Sequence, residues 1–459
     1  MPTPLDLTKG SIPRLLGRLS GPIILSMFMH TLYIMADLYF VGRLGPDAVA
    51  AISISGNAFF VIFGLSFIIG TGGMALIAQA FGKRDHSRAA RVFQQSLILS
   101  MLVGAASSVI GWTIARPYIA FFGGAGPSLK WGIAYFQIYS LSFPILLLLF
   151  VIGSCYRGMG DTRTPMLIIV QSTVLNIVLD PLLIFGLLGL PALGVRGAAI
   201  ASILSQLYAL GIYAYLIFLK GSHLELKGPW RMNPDIIKKS LSIGAPSGLT
   251  YFLLALNMFI TYRVVSVYGT PALASLGIGF RVLQAIYLPV VAISSAMAAM
   301  VGQNFGAGNR ERIHQTLWTG WGLSSGIMIL GTALCWVFPA FLVGIFNKDP
   351  GVLHYGVIYL TVMSLGNIVV GTIMTVSSVF QGLGKTYPTL IGAVVDNGLF
   401  AALVFTLPGH FGWGIQAVWW IKLATAVIEA LFNAAWLKGV LRRLRRAEIS
   451  QSILTSPGT

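Results

Sequence analysis

Twelve apolar stretches dominate this chain and decide what it can fold into. A helix rises about 1.5 Å per residue, so about 20 apolar residues are needed to cross the hydrocarbon core of a bilayer. Backbone polar groups must be satisfied inside lipid, and barrel strands would be shorter and alternating. We therefore predict an all-α integral membrane protein with twelve transmembrane helices. The stretches cover residues 19–41, 48–81, 92–115, 131–155, 165–187, 198–219, 240–267, 272–303, 315–340, 355–380, 388–407 and 414–437.

The composition excludes a water-soluble protein and an ATP-driven one. Of the 459 residues, 56% are apolar and only 9% are charged, whereas soluble domains carry about 25% charged residues. The spans leave no room for a soluble nucleotide-binding domain, and no G-x-x-x-x-G-K-[ST] motif occurs. The metalloprotease motif H-E-x-x-H is also missing from the sequence, so we do not expect an enzyme.

Most basic residues lie on one side of the predicted topology. The two tails and the even-numbered connections hold 22 of the 30 Lys and Arg residues, whereas the odd-numbered connections hold five and the spans three. Because basic residues concentrate in cytoplasmic loops, we expect both termini in the cytoplasm and a multi-pass protein of the inner (plasma) membrane. The net charge of +17 is then explained by topology and anionic lipid, so we expect no nucleic-acid partner.

The chain also contains an internal repeat. A shift of 224 residues places Gly21-Pro22 on Ala245-Pro246, Gln79-Ala80-Phe81-Gly82 on Gln303-Asn304-Phe305-Gly306, and Arg157-Gly158-Met159-Gly160-Asp161-Thr162 on Gln381-Gly382-Leu383-Gly384-Lys385-Thr386. Six spans separate equivalent positions, so both halves cross the membrane in the same direction, as in parallel-repeat transporters. We predict two pseudo-symmetric six-helix lobes, 1–219 and 240–459, the second ending in a basic tail, with a cytoplasmic linker at 220–239. A duplication that serves packing alone is the alternative.

Two acids of the first half are candidate functional residues. Asp37 in span one and Asp180 in span five fall at comparable depth in the outer half of the membrane. Helical spacing places Tyr33 on the face of Asp37 and Asn176 on the face of Asp180. Carboxylates inside a membrane are costly and usually functional, and two that share an apolar site cannot both ionise easily. Such a site takes up a proton or a small hard cation; the alternative is that each acid caps a neighbour or reaches the interface.

Other polar residues within the spans allow more than one interpretation. Lys422 and Glu429 are seven residues apart on span twelve, and we expect them to neutralise each other. Asp396 in span eleven could be functional or serve structure alone, and Arg281 in span eight could face a cavity or balance an acid. Pro22 near the start of span one removes a backbone hydrogen bond and offers a bend point, although membrane helices often tolerate proline.

These features resemble the multidrug and toxic compound extrusion (MATE) transporters. The resemblance is carried by the twelve spans, the duplication, and three segments: Gln79-Ala80-Phe81-Gly82, Arg157-Gly158-Met159-Gly160-Asp161-Thr162 and Asn176-Ile177-Val178-Leu179-Asp180-Pro181. A fourth segment, Gly194 to Ser202, is similar, with serine where the family often has threonine. The resemblance covers nearly the whole chain. Within the family, the chain resembles the prokaryotic, DNA-damage-inducible-like branch. A different branch carries an acid in span seven and another in span ten, whereas spans seven and ten of this chain, 240–267 and 355–380, contain no acid.

The resemblance implies export of amphipathic, often cationic, organic compounds in exchange for H⁺ or Na⁺ by alternating access. The residues that match the family's cation-coupling site are Tyr33, Asp37, Asn176, Asp180 and Ser202, and Pro22 matches its helix-bending proline. Asp37, Asn176 and Asp180 are candidate Na⁺ ligands. Candidates for the substrate cavity are Met27, His30, Gln206, Arg281 and Asp396. No cofactor besides the coupling ion is implied, and the partners are small organic substrates and the bilayer, with the protein as a monomer.

A flippase for a lipid-linked precursor is the alternative function. Related folds move such lipids, but a flippase of that kind would show a larger basic cavity. The spans of this chain contain only three basic residues, Arg263, Arg281 and Lys422. The sequence does not decide the substrate or the coupling ion.

Overall fold

The computed structural model describes residues 5–123, 126–220, 226, 230–411 and 414–455. These residues are almost entirely helical and contain no strand. Residues 221–225 and 227–229 of the predicted linker and the end of the predicted basic tail, 456–459, lie outside them. The α-helices are α1 (Ile12–Gly42), α2 (Pro46–Gly82), α3 (His86–Phe121), α4 (Gly126–Ser140), α5 (Phe143–Met159), α6 (Arg163–Phe185), α7 (Val195–Ala214), α8 (Pro234–Val265), α9 (Thr270–Gly306), α10 (Arg310–Val337), α11 (Pro339–Gly344), α12 (Pro350–Leu365), α13 (Asn367–Leu383), α14 (Tyr387–Phe411) and α15 (Ile415–Thr455).

The predicted count of twelve spans is confirmed, but two spans are not straight. In the described part of the chain, ten helices are long and apolar enough to cross a membrane alone. The other two spans are the bent pairs α4 with α5, at 50°, and α12 with α13, at 47°. Pro144 stands in the first turn of α5, where its missing N–H is tolerated, and Gly366 lies at the second break. The apolar stretches 131–155 and 355–380 gave no sign of these bends.

The chain divides into two compact units. One contains Gly21–Gly248, and the other combines Leu7–Ser20 with Leu249–Thr459. The early segment is held in the second unit by hydrogen bonds: the Leu7 N–H donates to Gln303 Oε1 at 3.1 Å, and Asn304 Nδ2 donates to the Leu7 carbonyl at 3.1 Å. Helices α1 and α8 therefore pass from one unit to the other, at points that differ from the sequence-based lobe limits of 219 and 240.

The repeat predicted from the sequence is visible in the helices. Both ends of α2 and α9 lie 224 residues apart, and so do both ends of α5 and α13. The residues that cap α3 and α10 are also equivalent. Asp85 accepts a hydrogen bond from the N–H of Arg88 at 2.9 Å, and Asn309 accepts one from the N–H of Arg312 at 3.2 Å. Each half thus builds the same six-span arrangement, which confirms the two pseudo-symmetric lobes.

Glycines allow close helix contacts inside the first unit. A Cβ atom on Gly244 of α8 would overlap the backbone carbonyl of Ile68 on α2, and one on Gly72 of α2 would overlap the carbonyl of Ser240. In lipid, where apolar surface gives little drive for helix association, such close backbone packing stabilises helix pairs. These contacts hold α2, a helix of the predicted first lobe, against the beginning of α8.

Candidate functional site

Helices α1, α6 and α7 bring the five predicted coupling residues into one region of the first unit. Tyr33 and Asp37 lie on α1, Asn176 and Asp180 on α6, and Ser202 on α7. The side chains of Asn176 and Asp180 are completely buried, and Asp37 is 8% exposed. This burial matters because these groups can be compensated only by one another or by a bound ion.

Two hydrogen bonds connect these side chains. Tyr33 Oη donates to Ser202 Oγ at 2.7 Å, which links α1 to α7 across 169 residues of sequence. Asn176 Nδ2 donates to Asp180 Oδ1 at 3.3 Å, within one turn of α6. The predicted pairing of Asn176 with Asp180 is therefore present, whereas Tyr33 binds a serine on another helix.

The site has more acceptors than donors. Among the residues that the structure describes, Asp37 Oδ1, Asn176 Oδ1 and Asp180 Oδ2 are buried and have no hydrogen-bond partner. The carboxyl groups of Asp37 and Asp180 are close enough to interact electrostatically. Buried polar atoms normally find a partner, so these three orphaned oxygens, two of which belong to carboxylates, need further compensation. A proton or a small cation with oxygen ligands provides it.

Sequence reasoning missed two tyrosines of α4. Tyr135 and Tyr139 are buried, their rings stack at 5.5 Å, and both lie within electrostatic range of Asp37. Gln206 Nε2 on α7 donates to Tyr139 Oη at 3.5 Å. The signal was available, since two tyrosines four residues apart share one face of a predicted span. What the sequence lacked was any indication that this face of α4 meets α1 and α7.

The site does not have the composition of a transition-metal centre. In the described segments, no three His, Cys, Asp or Glu side chains cluster closely enough to hold a metal ion. The oxygens of Asp37, Asn176 and Asp180 are instead the hard ligands that suit a cation such as Na⁺.

The family model of the MatE proteins matches the chain twice, over residues 22–182 and 246–406. Both starts and both ends are 224 residues apart, which is the offset of the internal repeat. The chain belongs to the MatE family. The resemblance to MATE proteins seen in the sequence is thereby confirmed, and the branch within the family stays a prediction.

Relatives of this MATE protein match it over nearly its whole length. The probable multidrug resistance protein YoeA of Bacillus subtilis is 26% identical over 95% of this chain and 97% of its own. The probable multidrug resistance protein NorM of Thermotoga maritima is 27% identical over 96% of this chain and 98% of its own. A FAD transporter of Shewanella oneidensis is 27% identical over 94% of each chain. Two of these relatives are thus named for probable multidrug resistance and the third for transport of FAD.

Solved structures show the same fold as this MATE protein. A MOP-superfamily transporter from Pyrococcus furiosus matches with a TM-score of 0.88 at 24% identity, over 96% of this chain and 98% of that one. A MATE structure in a straight conformation matches with a TM-score of 0.87, and one in a bent conformation with 0.88. The protein is a multi-pass membrane protein with the MATE fold.

Two of the cavity candidates in this MATE protein lie on α1, on the turns before Tyr33. The His30 ring stacks on Tyr33 with centroids 6.3 Å apart and meets the edge of Phe63 at 6.0 Å. Met27, one turn earlier, is half-buried. Gln206 lies near the acid pair of the first unit through its hydrogen bond to Tyr139. The structure thus places three of the five cavity candidates in the first unit, and Arg281 and Asp396 in the second.

The second unit of the MATE protein contains a polar cluster of its own, and one expectation about it is wrong. Lys422 forms its ion pair with Asp396 and not with Glu429: its Nζ lies 2.6 Å from Asp396 Oδ2 on α14. Positions seven apart on one helix are about 10.5 Å apart along its axis, whereas Asp396 faces α15 from the neighbouring helix. Glu429 accepts a long hydrogen bond from Asn433 Nδ2 at 3.5 Å.

Proposed function

We propose that this chain is a secondary active antiporter that exports amphipathic, often cationic, organic compounds in exchange for a monovalent cation. The three orphaned oxygens of Asp37, Asn176 and Asp180 are the observation that supports this function most directly. A membrane protein gains nothing in stability from leaving one oxygen of each carboxylate buried without a donor, so the group is suited to an ion that binds and is released. The similarity to YoeA and NorM, both named as probable multidrug resistance proteins, supports drug export as the transport reaction.

In this proposal the coupling ion, H⁺ or Na⁺, binds at Asp37 and Asp180, and no other cofactor takes part. The hydrogen bond between Tyr33 and Ser202 holds α1 against α7, so a change in charge at Asp37 of α1 affects the position of both helices. The protein works by alternating access as a monomer in the inner membrane, with both termini in the cytoplasm, and belongs to the DNA-damage-inducible-like branch.

Efflux from vesicles tests the proposal. The purified protein is reconstituted with a cationic fluorescent dye, and a pH gradient and a Na⁺ gradient are imposed separately. We expect uphill movement of dye under at least one of the two gradients and none without a gradient. Translocation of a fluorescent lipid with no dye movement under either gradient would contradict antiport and favour the flippase alternative.

A second cargo class follows from one relative. The FAD transporter of Shewanella oneidensis is as similar to this chain as NorM of Thermotoga maritima is, at 27% identity. An anionic aromatic dinucleotide is therefore a second candidate substrate. Adding FAD to the same vesicles tests this class of substrate. If the protein carries both compounds, FAD should inhibit dye efflux and should itself move under the same gradient.

Pro22 is proposed as the bend point of α1. It lies within two residues of the place where α1 passes from one compact unit to the other, and Pro246 lies two residues before Gly248, the last residue of α8 in the first unit. Proline removes one backbone hydrogen bond and weakens a helix locally. Solved MATE structures of this fold exist in straight and bent conformations, which supports a helix that must flex.

We expect Pro22→Ala to slow turnover of dye several-fold while the dye concentration at half-maximal rate changes by no more than a few-fold. Initial efflux rates over a range of dye concentrations measure both quantities. Pro117→Ala is the matched control, because Pro117 is an exposed proline inside α3 of the same unit. Equal losses of binding and rate in Pro22→Ala would indicate a packing defect instead of a lost bend.

A further inference from the structure

The two last helices of the second unit enclose a charged cluster that the Asp37 and Asp180 site does not use. Its members are Asp396 on α14 and Lys422, Glu429 and Asn433 on α15. Asp396 is 5% exposed, Glu429 8% and Asn433 fully buried. Asn433 is held tightly against α14, since a Cβ atom on Gly392 would lie 2.8 Å from its amide nitrogen.

The charges of this cluster do not balance. Lys422 Nζ binds Asp396 Oδ2 at 2.6 Å and lies over the Phe400 ring, 5.2 Å from its centroid. Glu429 interacts electrostatically with Asp396 and with Lys422, but its hydrogen bond comes from the neutral amide of Asn433. One ammonium therefore serves two carboxylates. A second carboxylate ionised in this environment would carry a large desolvation cost.

The cluster is also short of hydrogen-bond donors. Of the atoms that the structure describes there, Asp396 Oδ1 and Asn433 Oδ1 are both buried and neither has a partner. Both are acceptors, and Glu429 when ionised adds only more acceptors. One added proton supplies the missing donor and cancels the excess negative charge in a single step.

Within the described part of the chain, the charged groups that act on Glu429 are Asp396 and Lys422, both members of the cluster. From α8, Asn257 Nδ2 donates to Asn397 Oδ1 at 3.0 Å, so the contact is neutral. From α12, Tyr359 packs on Trp419 of α15 with centroids 4.8 Å apart, while the exposed His354 lies near the start of that helix. The sequence of α13, which also packs on α15, contains no Asp, Glu, His, Lys or Arg.

We propose that Glu429 is a proton-binding site of the second unit, separate from the acid pair of the first. Asp396 and Lys422 form a fixed ion pair beside it, and Asn433 positions the carboxyl group that takes up and releases the proton. A role of this proton in coupling rests on the proposed antiport function. Binding of the proton at Glu429 does not depend on that function.

Infrared difference spectroscopy of the purified full-length protein in lipid nanodiscs tests the site. Spectra recorded across a pH titration report the carboxylic-acid C=O band of each buried acid that takes up a proton. We expect the Glu429→Gln variant to lose one such band completely. The Asp37→Asn/Asp180→Asn double variant should keep that band, because the two sites are separate. Glu311→Gln is the matched control: Glu311 is exposed at the start of α10 and should contribute no buried band.

A second variant covers the case in which Glu429→Gln does not fold. Asn433→Ala removes the amide beside the carboxyl group, so the Glu429 band should shift in frequency without being lost. An unchanged set of bands in both Glu429→Gln and Asn433→Ala would overturn the proposal. Loss of the Glu429 band on addition of Na⁺ at fixed pH would also overturn the proposal, since the site would then bind the metal cation.

The outcome is distinguishable from failure of the antiport proposal. If wild-type vesicles move no dye but Glu429→Gln loses its band, the proton site stands and the antiport function fails. If dye moves under a pH gradient and the band is unchanged in Glu429→Gln, antiport stands and the proton site fails.

Discussion

Replacing either Asp37 or Asp180 by asparagine is expected to reduce driven efflux of dye to the level of protein-free vesicles. Each change keeps the shape of the side chain but removes one of the two carboxylates that interact in the first unit. The remaining carboxylate has lost the partner with which it binds a cation. The protein should still insert and fold, because a neutral amide is less costly than a carboxylate at a buried position inside a membrane.

Efflux under imposed ion gradients measures this effect, and the thermal unfolding midpoint in detergent shows that the variants are folded. Asp47→Asn is the matched control, since Asp47 is an exposed acid at the start of α2 in the same unit. It should transport like the wild type. Wild-type rates in Asp37→Asn or in Asp180→Asn would remove that residue from the coupling site.

Replacing Lys422 by methionine is expected to produce the largest loss of stability among single changes in the second unit. The variant leaves Asp396 buried with no cation at 2.6 Å and removes the contact with the Phe400 ring. Removing one partner of a buried ion pair typically costs about 3–5 kcal/mol, because the other charge stays desolvated and uncompensated. The free energy of unfolding should fall by an amount near the lower end of that range, since the Lys422 side chain is 21% exposed.

The double variant Lys422→Met/Asp396→Asn should recover much of that loss, because no uncompensated charge then remains at the ion pair. Unfolding midpoints of the single and double variants, followed by tryptophan fluorescence, give the comparison. Lys438→Met is the control for loss of a lysine from α15, since Lys438 is exposed on the same helix. If the double variant is no more stable than Lys422→Met alone, the loss comes from packing and not from an orphaned carboxylate.

The sequence by itself determined the membrane class, the number of spans and the duplication. Those properties depend on apolar length and on spacing along one chain, and both can be read without knowing which helices touch. It also identified Asp37 and Asp180, because an acid inside an apolar stretch stands out whatever surrounds it. The pairing of Asn176 with Asp180 was equally predictable, since residues four apart on a helix are neighbours.

Only the tertiary structure decided which helices supply partners to these acids. Tyr139 accepts a hydrogen bond from Gln206, and Tyr33 donates one to Ser202. Lys422 forms its ion pair with Asp396 and not with Glu429. Each of these contacts crosses between helices, where helical periodicity carries no information about distance. The bends in two spans were also invisible in the sequence, because a break of one or two residues hardly changes the mean hydropathy of an apolar stretch. The sequence therefore specified which groups must be compensated within the membrane, and the packing of the helices specified which partner compensates each one.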